Sequence, residues 1–151
     1  MPIDPAPNPA RAGWPAYLRW RYIGLVVIGG TFGTAARFTL TEAVPTWSGV
    51  PVATFGVNIL GAFLLGVLVT NLARRGRDEG VRRAVRLLLG TGFMGGFTTY
   101  STLAVETDAL FRSGQAGLAV AYATATVIIG ALAAATGIRI ASRRQARDGG
   151  R

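Results

Sequence analysis

Charged residues divide this chain into long stretches that carry none. Fifteen uncharged residues separate Arg21 from Arg37, and the apolar character continues to Leu40, outlining a first segment from about Tyr22 to Thr41. Thirty-one uncharged residues run from Ala43 to Ala73. Pro45, Trp47, Ser48, Gly49 and Pro51 at their start read as a turn, which leaves a second segment from Val52 to Leu72. A third run of nineteen covers Leu87 to Val105, and a fourth of twenty-six covers Ser113 to Ile138. A helix needs roughly 20 such residues to cross the hydrocarbon of a bilayer. The pattern therefore predicts an all-α integral membrane protein with four transmembrane helices.

The ends of the chain read differently. Met1 to Gly13 holds four prolines and no apolar periodicity, the composition of a disordered tail. Trp14, Tyr17, Trp20 and Tyr22 crowd the point of membrane entry, where amphipathic rings favour the headgroup layer. Residues 1–21 thus form a tail and interfacial segment, 22–138 the transmembrane domain and 139–151 a basic C-terminal tail whose polar end, from Ser142, is expected to fray. The first segment is not a cleaved signal sequence: it is too long, and Arg37 with Phe38 stands where small residues would be needed.

Composition narrows the chemistry. The 151 residues include sixteen arginines, seven carboxylates and 21 glycines, but no lysine, histidine or cysteine. Disulfides, thiol nucleophiles, imidazole bases and the usual zinc-ligand sets are excluded, and an enzyme has no base and nucleophile to pair. A formal charge of +9 would suit nucleic acid if it covered a soluble surface. Here the arginines cluster between apolar runs, so no nucleic-acid partner is expected and the lipid bilayer is.

Arginine placement also sets orientation. Fourteen of the sixteen precede the first span, join the second to the third, or follow the fourth. Arg112 alone stands on the other side, and Arg37 lies within the first span. By the positive-inside rule both termini and the central loop are cytoplasmic, in a multi-pass protein of the cell inner (plasma) membrane.

Inside the spans, glycine costs about 1 kcal/mol relative to alanine, so its abundance needs a reason. Gly29 with Gly33, and Gly92 with Gly96, have the spacing that lets helix backbones approach. Gly95, Gly96, Thr98 and Thr99 can also loosen the helical ladder and free carbonyls, which at membrane depth must be buried by protein or water and could bind a hard cation such as sodium. Asn58 stands alone in the apolar stretch Phe55 to Leu68; it reads either as interhelical glue or as a donor aimed at a permeating anion. Arg37 and Glu106, near span ends, read as structural charges that snorkel or pair. Tyr122 and Thr126 share one face of the fourth span.

Taken together, GGTFGTAARF (Gly29 to Phe38), FGVNILGAFLLG (Phe55 to Gly66) and GFMGGFTTYSTLAVE (Gly92 to Glu106) resemble the Fluc (CrcB) family of fluoride channels, over all four spans in order. The third motif is the most specific. The resemblance implies a four-span subunit, its third helix broken at the centre, that pairs with an antiparallel second subunit, conducts fluoride passively through two pathways, and holds a structural sodium ion at the dimer centre. It implies that Asn58 lines the pore, that Arg37 closes the first-helix motif, and that the carbonyls of Gly95 and Thr98 bind sodium. It further implies that Ser101 and Thr102 lie beside the pathway, with Tyr122 and Thr126 supplying hydroxyls. Fluoride is small and strongly hydrated, and compact donors without a fixed positive charge can replace its water without trapping it.

One departure stands out. The family usually places phenylalanine where this chain has Tyr100 and Leu103. Tyrosine keeps an aromatic edge, but leucine has none, so the pathway that uses Leu103 is expected to be weak or closed. Fourteen arginines against one also oppose insertion in both orientations. Both features favour a heterodimer with an oppositely biased homologue over a homodimer. Two other readings compete: a multidrug-type exchanger, which would need a carboxylate deep in the first span where this chain has only Glu42 at the end, and a non-conducting or half-active structural partner subunit.

Overall fold

The computed structural model of the chain describes residues 19–47 and 49–148, with side chains as far as Arg143. The expectations placed on Met1 to Leu18, including Trp14 and Tyr17, and on the last three residues lie outside the described residues. Helices α1 (Trp20–Ala43), α2 (Val52–Arg74) and α3 (Gly80–Val85) come first; α3 continues into a π-helical segment (Arg86–Phe93) and α4 (Met94–Phe97). Two non-helical residues follow, then α5 (Tyr100–Arg112) and α6 (Ala116–Asp148). Among the described residues helix is the only regular secondary structure, apart from a single bridge between Trp47 and Val50 that closes the turn after α1.

Helices α1, α2 and α6 are long and apolar enough to cross a membrane, with mean hydropathies of 1.4, 2.2 and 2.0. Two boundaries differ from the sequence expectation. The fourth segment starts at Ala116 because Gly114, at φ 79°, ends α5 in the left-handed region, where a residue without a Cβ fits. It also runs past Ile138 to Asp148 instead of fraying at Ser142, since the arginine, alanine and glutamine there are good helix formers. The third expected span is interrupted, and that interruption organises the candidate site.

The helices bury little of their apolar surface against one another. Val27, Ile28, Phe32, Phe38, Val127 and Leu132 all face outward, as suits side chains whose solvent is lipid. Contact between helices is instead made by small residues. A Cβ built on Gly29 would fall on the carbonyl oxygen of Leu88, one on Gly33 on that of Phe93, and one on Gly96 on that of Gly30. The contacts advance together along both elements, so α1 runs parallel to the π-helical segment and α4. Gly90 and Gly92 permit the wider π turn, which presents Leu88, Gly92 and Phe93 to the same stripe of α1.

A second parallel pair is α2 with α6. Gly66 sits against Ala134 and Gly137 against Phe63 and Val67, and Arg74 Nη1 donates to the Ser142 carbonyl at 3.2 Å. Helix α5 turns back against α6 through a cluster of Leu103, Leu110, Ala119 and Tyr122. These pairings gather the arginines of the α2–α3 connection and of the α6 end at one end of the bundle, while Arg112, paired with Asp108 at 2.7 Å, lies at the other.

In the α2–α3 connection, Asp78 accepts from Arg86 Nε at 3.0 Å and Arg86 Nη2 at 2.7 Å, with Arg83 Nε 3.5 Å away. The hydrogen bonds from Arg86, with the charges of Arg86 and Arg83, hold the Asp78 carboxyl below its ordinary 3.8. A depressed folded-state value means that this tie is intact above the ordinary pKa and is lost as pH falls through the depressed one. Amide protection in the 76–86 segment, taken relative to the intrinsic exchange rate at each pH, should therefore fall on acidification below about pH 4, and Asp78→Asn should show the low protection at neutral pH already.

Candidate functional site at the helix break

The break consists of Thr98 (φ −78°, ψ 154°) and Thr99 (φ −147°, ψ 120°), both extended. Gly95 and Gly96 stay within α4, so the glycines end the first half-helix and the threonines make the gap. Every main-chain group exposed there must find a partner at membrane depth. Met94 O takes both the Thr98 N–H and the Thr98 hydroxyl, each at 2.9 Å. The Thr99 N–H, which would serve the Gly95 carbonyl in a continuous helix, donates instead to Asn58 Oδ1 at 2.8 Å. The Thr102 N–H, which would serve the Thr98 carbonyl, donates to Thr99 Oγ1 at 3.1 Å, capping α5. The break takes the helical donors from the four carbonyls of Gly95 to Thr98; another helix answers that of Gly96, while those of Gly95, Phe97 and Thr98 gain no replacement among the described residues.

Two side chains from earlier helices hold the break. Asn58 on α2 accepts from the Thr99 N–H and returns Nδ2 to the Thr99 carbonyl at 3.0 Å, as a neighbouring strand would. One of its two amide hydrogens is used, leaving the second beside a cavity of about 320 Å³ lined also by Thr98, Tyr100, Leu103 and Thr126. Arg37 on α1 donates Nε to the Gly96 carbonyl at 3.2 Å, and the Thr34 hydroxyl lies 3.5 Å from the same oxygen. Thr98 itself rests on Gly61, where any Cβ would collide with its methyl group.

Hydroxyls continue from the break along α5. Thr99 Oγ1 lies 3.0 Å from Thr102 Oγ1 and 3.2 Å from Ser101 Oγ. One and a half turns on, Glu106 is held between two helices: its Oε1 accepts from Thr54 of α2 and its Oε2 from Tyr122 of α6, both at 2.7 Å. Glu106, read from the sequence as a structural charge that snorkels or pairs, is bound here by two neutral hydroxyls. The Thr126 hydroxyl turns back to the Tyr122 carbonyl at 2.7 Å, so its proton is committed to its own helix.

The sequence candidates thus fall into connected groups. Asn58, Thr98, Tyr100, Leu103 and Thr126 meet around one cavity; Ser101 and Thr102 join it through Thr99, and Tyr122 joins Glu106. Tyr100 is 82 % exposed and points out of the chain, whereas Leu103, at 6 %, belongs to the buried α5–α6 cluster. Gly95 has open space around it. Sequence reasoning missed Thr54, which is wholly enclosed. Its position four residues before Asn58, on the same face of α2, was the available signal.

Comparison with known proteins places the chain in a family. The family model described as CrcB-like protein, Camphor Resistance (CrcB), matches residues 24–138. A Leifsonia xyli subsp. xyli protein named fluoride-specific ion channel FluC 2 is 48% identical over 139 residues, 92% of this chain and 96% of that protein. Fluoride-specific ion channel FluC 1 of Cutibacterium acnes is 48% identical over 113 residues, 74% of this chain and 79% of that protein. The match runs from the first glycine of α1 through the last apolar turn of α6, taking in the break and both side chains that hold it: the chain belongs to the CrcB family.

Proposed function

We propose that this chain is a subunit of a fluoride-specific channel, not an enzyme, which lets cytoplasmic fluoride leave the cell passively and so confers fluoride resistance. The observation that carries this reading is the break at Thr98 and Thr99, with Asn58 and the hydroxyls of Thr99, Ser101 and Thr102 gathered beside it. Neutral donors at this density can replace the water of a small anion one contact at a time, and none binds tightly enough to trap it. The relatives named for fluoride supply the identity of the ion. The test is fluoride efflux from liposomes holding this subunit with a homologous partner. Efflux under a fluoride gradient, unmatched by chloride, is expected; tight vesicles would refute the channel.

In this reading α3 through α5 form a third crossing, giving four, and the arginine-rich end faces the cytoplasm. Gln145→Cys should then resist an impermeant thiol reagent applied outside intact cells, and labelling from outside would overturn the orientation. The second subunit lies antiparallel. The charge bias and Leu103 favour a heterodimer with an oppositely biased homologue, in which the pathway using Leu103 conducts weakly or not at all. A stable, fluoride-conducting homodimer of this chain alone would refute that pairing.

A structural sodium ion fits the chemistry of the break. The carbonyls of Gly95 and Thr98 have lost their helical donors to Asn58 and Thr99, and a hard cation takes such oxygens. When bound, the ion would supply positive charge between the half-helices of two subunits. Gly95→Leu tests the shared site, because a Cβ there meets nothing within 4 Å in this chain. The variant should fold but fail to dimerise in size-exclusion chromatography and crosslinking, and a retained dimer would remove Gly95 from the interface.

A further inference from the structure

Hydroxyl groups on the outward faces of the helices fall into two kinds. Thr31, Thr39 and Thr136 are exposed, and each donates to the carbonyl four residues earlier, at 2.9, 3.0 and 2.7 Å. A hydroxyl tied to its own helix in this way can face lipid, which offers it no acceptor. Tyr100 and Thr124 are exposed too, but their hydroxyls donate to nothing among the described residues. Neither stands at a membrane surface. Tyr100 directly follows the break, and Thr124 is eight residues into α6, about 12 Å from its start at ~1.5 Å per residue. Tyrosine in membrane proteins belongs at the headgroup level, where its hydroxyl meets water, and a polar group left in hydrocarbon without a partner is costly.

The two residues line the same groove, a cavity of about 630 Å³ between α5 and α6 whose walls include Ala104, Phe111 and Ile128. The other polar groups along it are already engaged, Thr107 with the Leu103 carbonyl and Asp108 with Arg112, both at 2.7 Å. A lipid tail would cover the walls but bring no acceptor, and water would meet the hydroxyls but not the walls. A protein helix does both, with apolar side chains for the walls and polar atoms for the hydroxyls. Tyr100 and Leu103 border this groove and the Asn58 cavity alike, so whatever fills the groove also closes a side of the cavity. We propose that the α5–α6 groove is the seat of the second subunit, which bonds to Tyr100 and Thr124 and completes the wall of the Asn58 cavity. The identity of the occupant rests on the channel reading above; the groove and its two unengaged hydroxyls do not.

Photocrosslinking tests the seat without reference to flux. The full chain with p-benzoylphenylalanine in place of Tyr100 is expressed with an epitope-tagged second chain, either another copy of itself or the homologous partner of the efflux assay. Dimers are isolated by size exclusion and irradiated. The probe at position 100 should join the two subunits, while the same probe in place of Thr136 should label lipid alone. Thr124→Val, which removes only the hydroxyl, should weaken dimerisation about threefold. Ala104→Trp, which fills the groove, should leave monomer, and Thr136→Val should change nothing. Dimers whose probe at position 100 labels only lipid, or whose association is indifferent to Thr124→Val and Ala104→Trp, would overturn the seat, as would a chain that stays monomeric with both partners. Fluoride efflux from the unmodified dimers keeps the two readings apart: conducting dimers without the crosslink refute the seat alone, and crosslinked dimers that do not conduct refute the channel alone.

Discussion

Asn58→Ala should all but abolish fluoride flux while the protein remains assembled. The substitution removes the acceptor of the Thr99 N–H and the donor to the Thr99 carbonyl together, and an orphaned buried group costs about 1–3 kcal/mol. It also removes the one amide hydrogen left to face the cavity. At about 1.4 kcal/mol per tenfold change, flux through an active assembly should fall by more than an order of magnitude. The small residues that join α1 to α4 and α2 to α6 are untouched, so size-exclusion behaviour should not change. Asn58→Asp separates the two roles of the amide. It keeps an acceptor for the Thr99 N–H but places a negative charge beside the cavity, so assembly should be retained and flux lost. Undiminished flux in Asn58→Ala would leave Asn58 as interhelical glue alone.

Gly33→Val should destroy the folded subunit. A Cβ at Gly33 falls on the Phe93 carbonyl oxygen and lies 2.9 Å from both the Phe93 carbonyl carbon and the Phe97 amide nitrogen. All three are main-chain atoms of the π-helical segment and α4, which cannot rotate aside as a side chain could. Overpacking of this kind costs about 1–3 kcal/mol and more where the backbone must move. Displacing α4 would also pull the Gly96 carbonyl away from Arg37. The expected result is loss of monodisperse protein after extraction, measured by fluorescence-detected size exclusion. Gly30→Ala is the control: its Cβ meets only the Gly92 carbonyl oxygen, at 3.9 Å, and should be tolerated. Normal yield and elution for Gly33→Val would show that α1 and the π-helical segment are not locked by this contact.

The three long helices were legible because their evidence is local: charge-free runs and flanking arginines mark α1, α2 and α6 without reference to the rest of the chain. The break was legible for the same reason, since Gly95 to Thr99 is a concentrated run of poor helix formers. Its register was not. Which residues leave the helix depends on Asn58 and Arg37, 41 and 59 residues away from the groups they bind. The contact joining Thr54, Glu106 and Tyr122 was invisible for a related reason, because three helices contribute one side chain each. The π-helical segment left no periodic trace, as its wider turn is selected by the glycine stripe of α1 that it packs against.

The order in which the break acquires its partners has a consequence for biogenesis. Helices α1 and α2 leave the ribosome before the residues they stabilise, so Arg37 and Asn58 are already in the bilayer when Thr98 and Thr99 emerge. A segment with unpaired main-chain groups at mid-membrane is a poor substrate for insertion by itself. Here it enters against a surface that supplies the missing partners, and the N-terminal half of the chain serves as an internal template for the interrupted segment from α3 to α5.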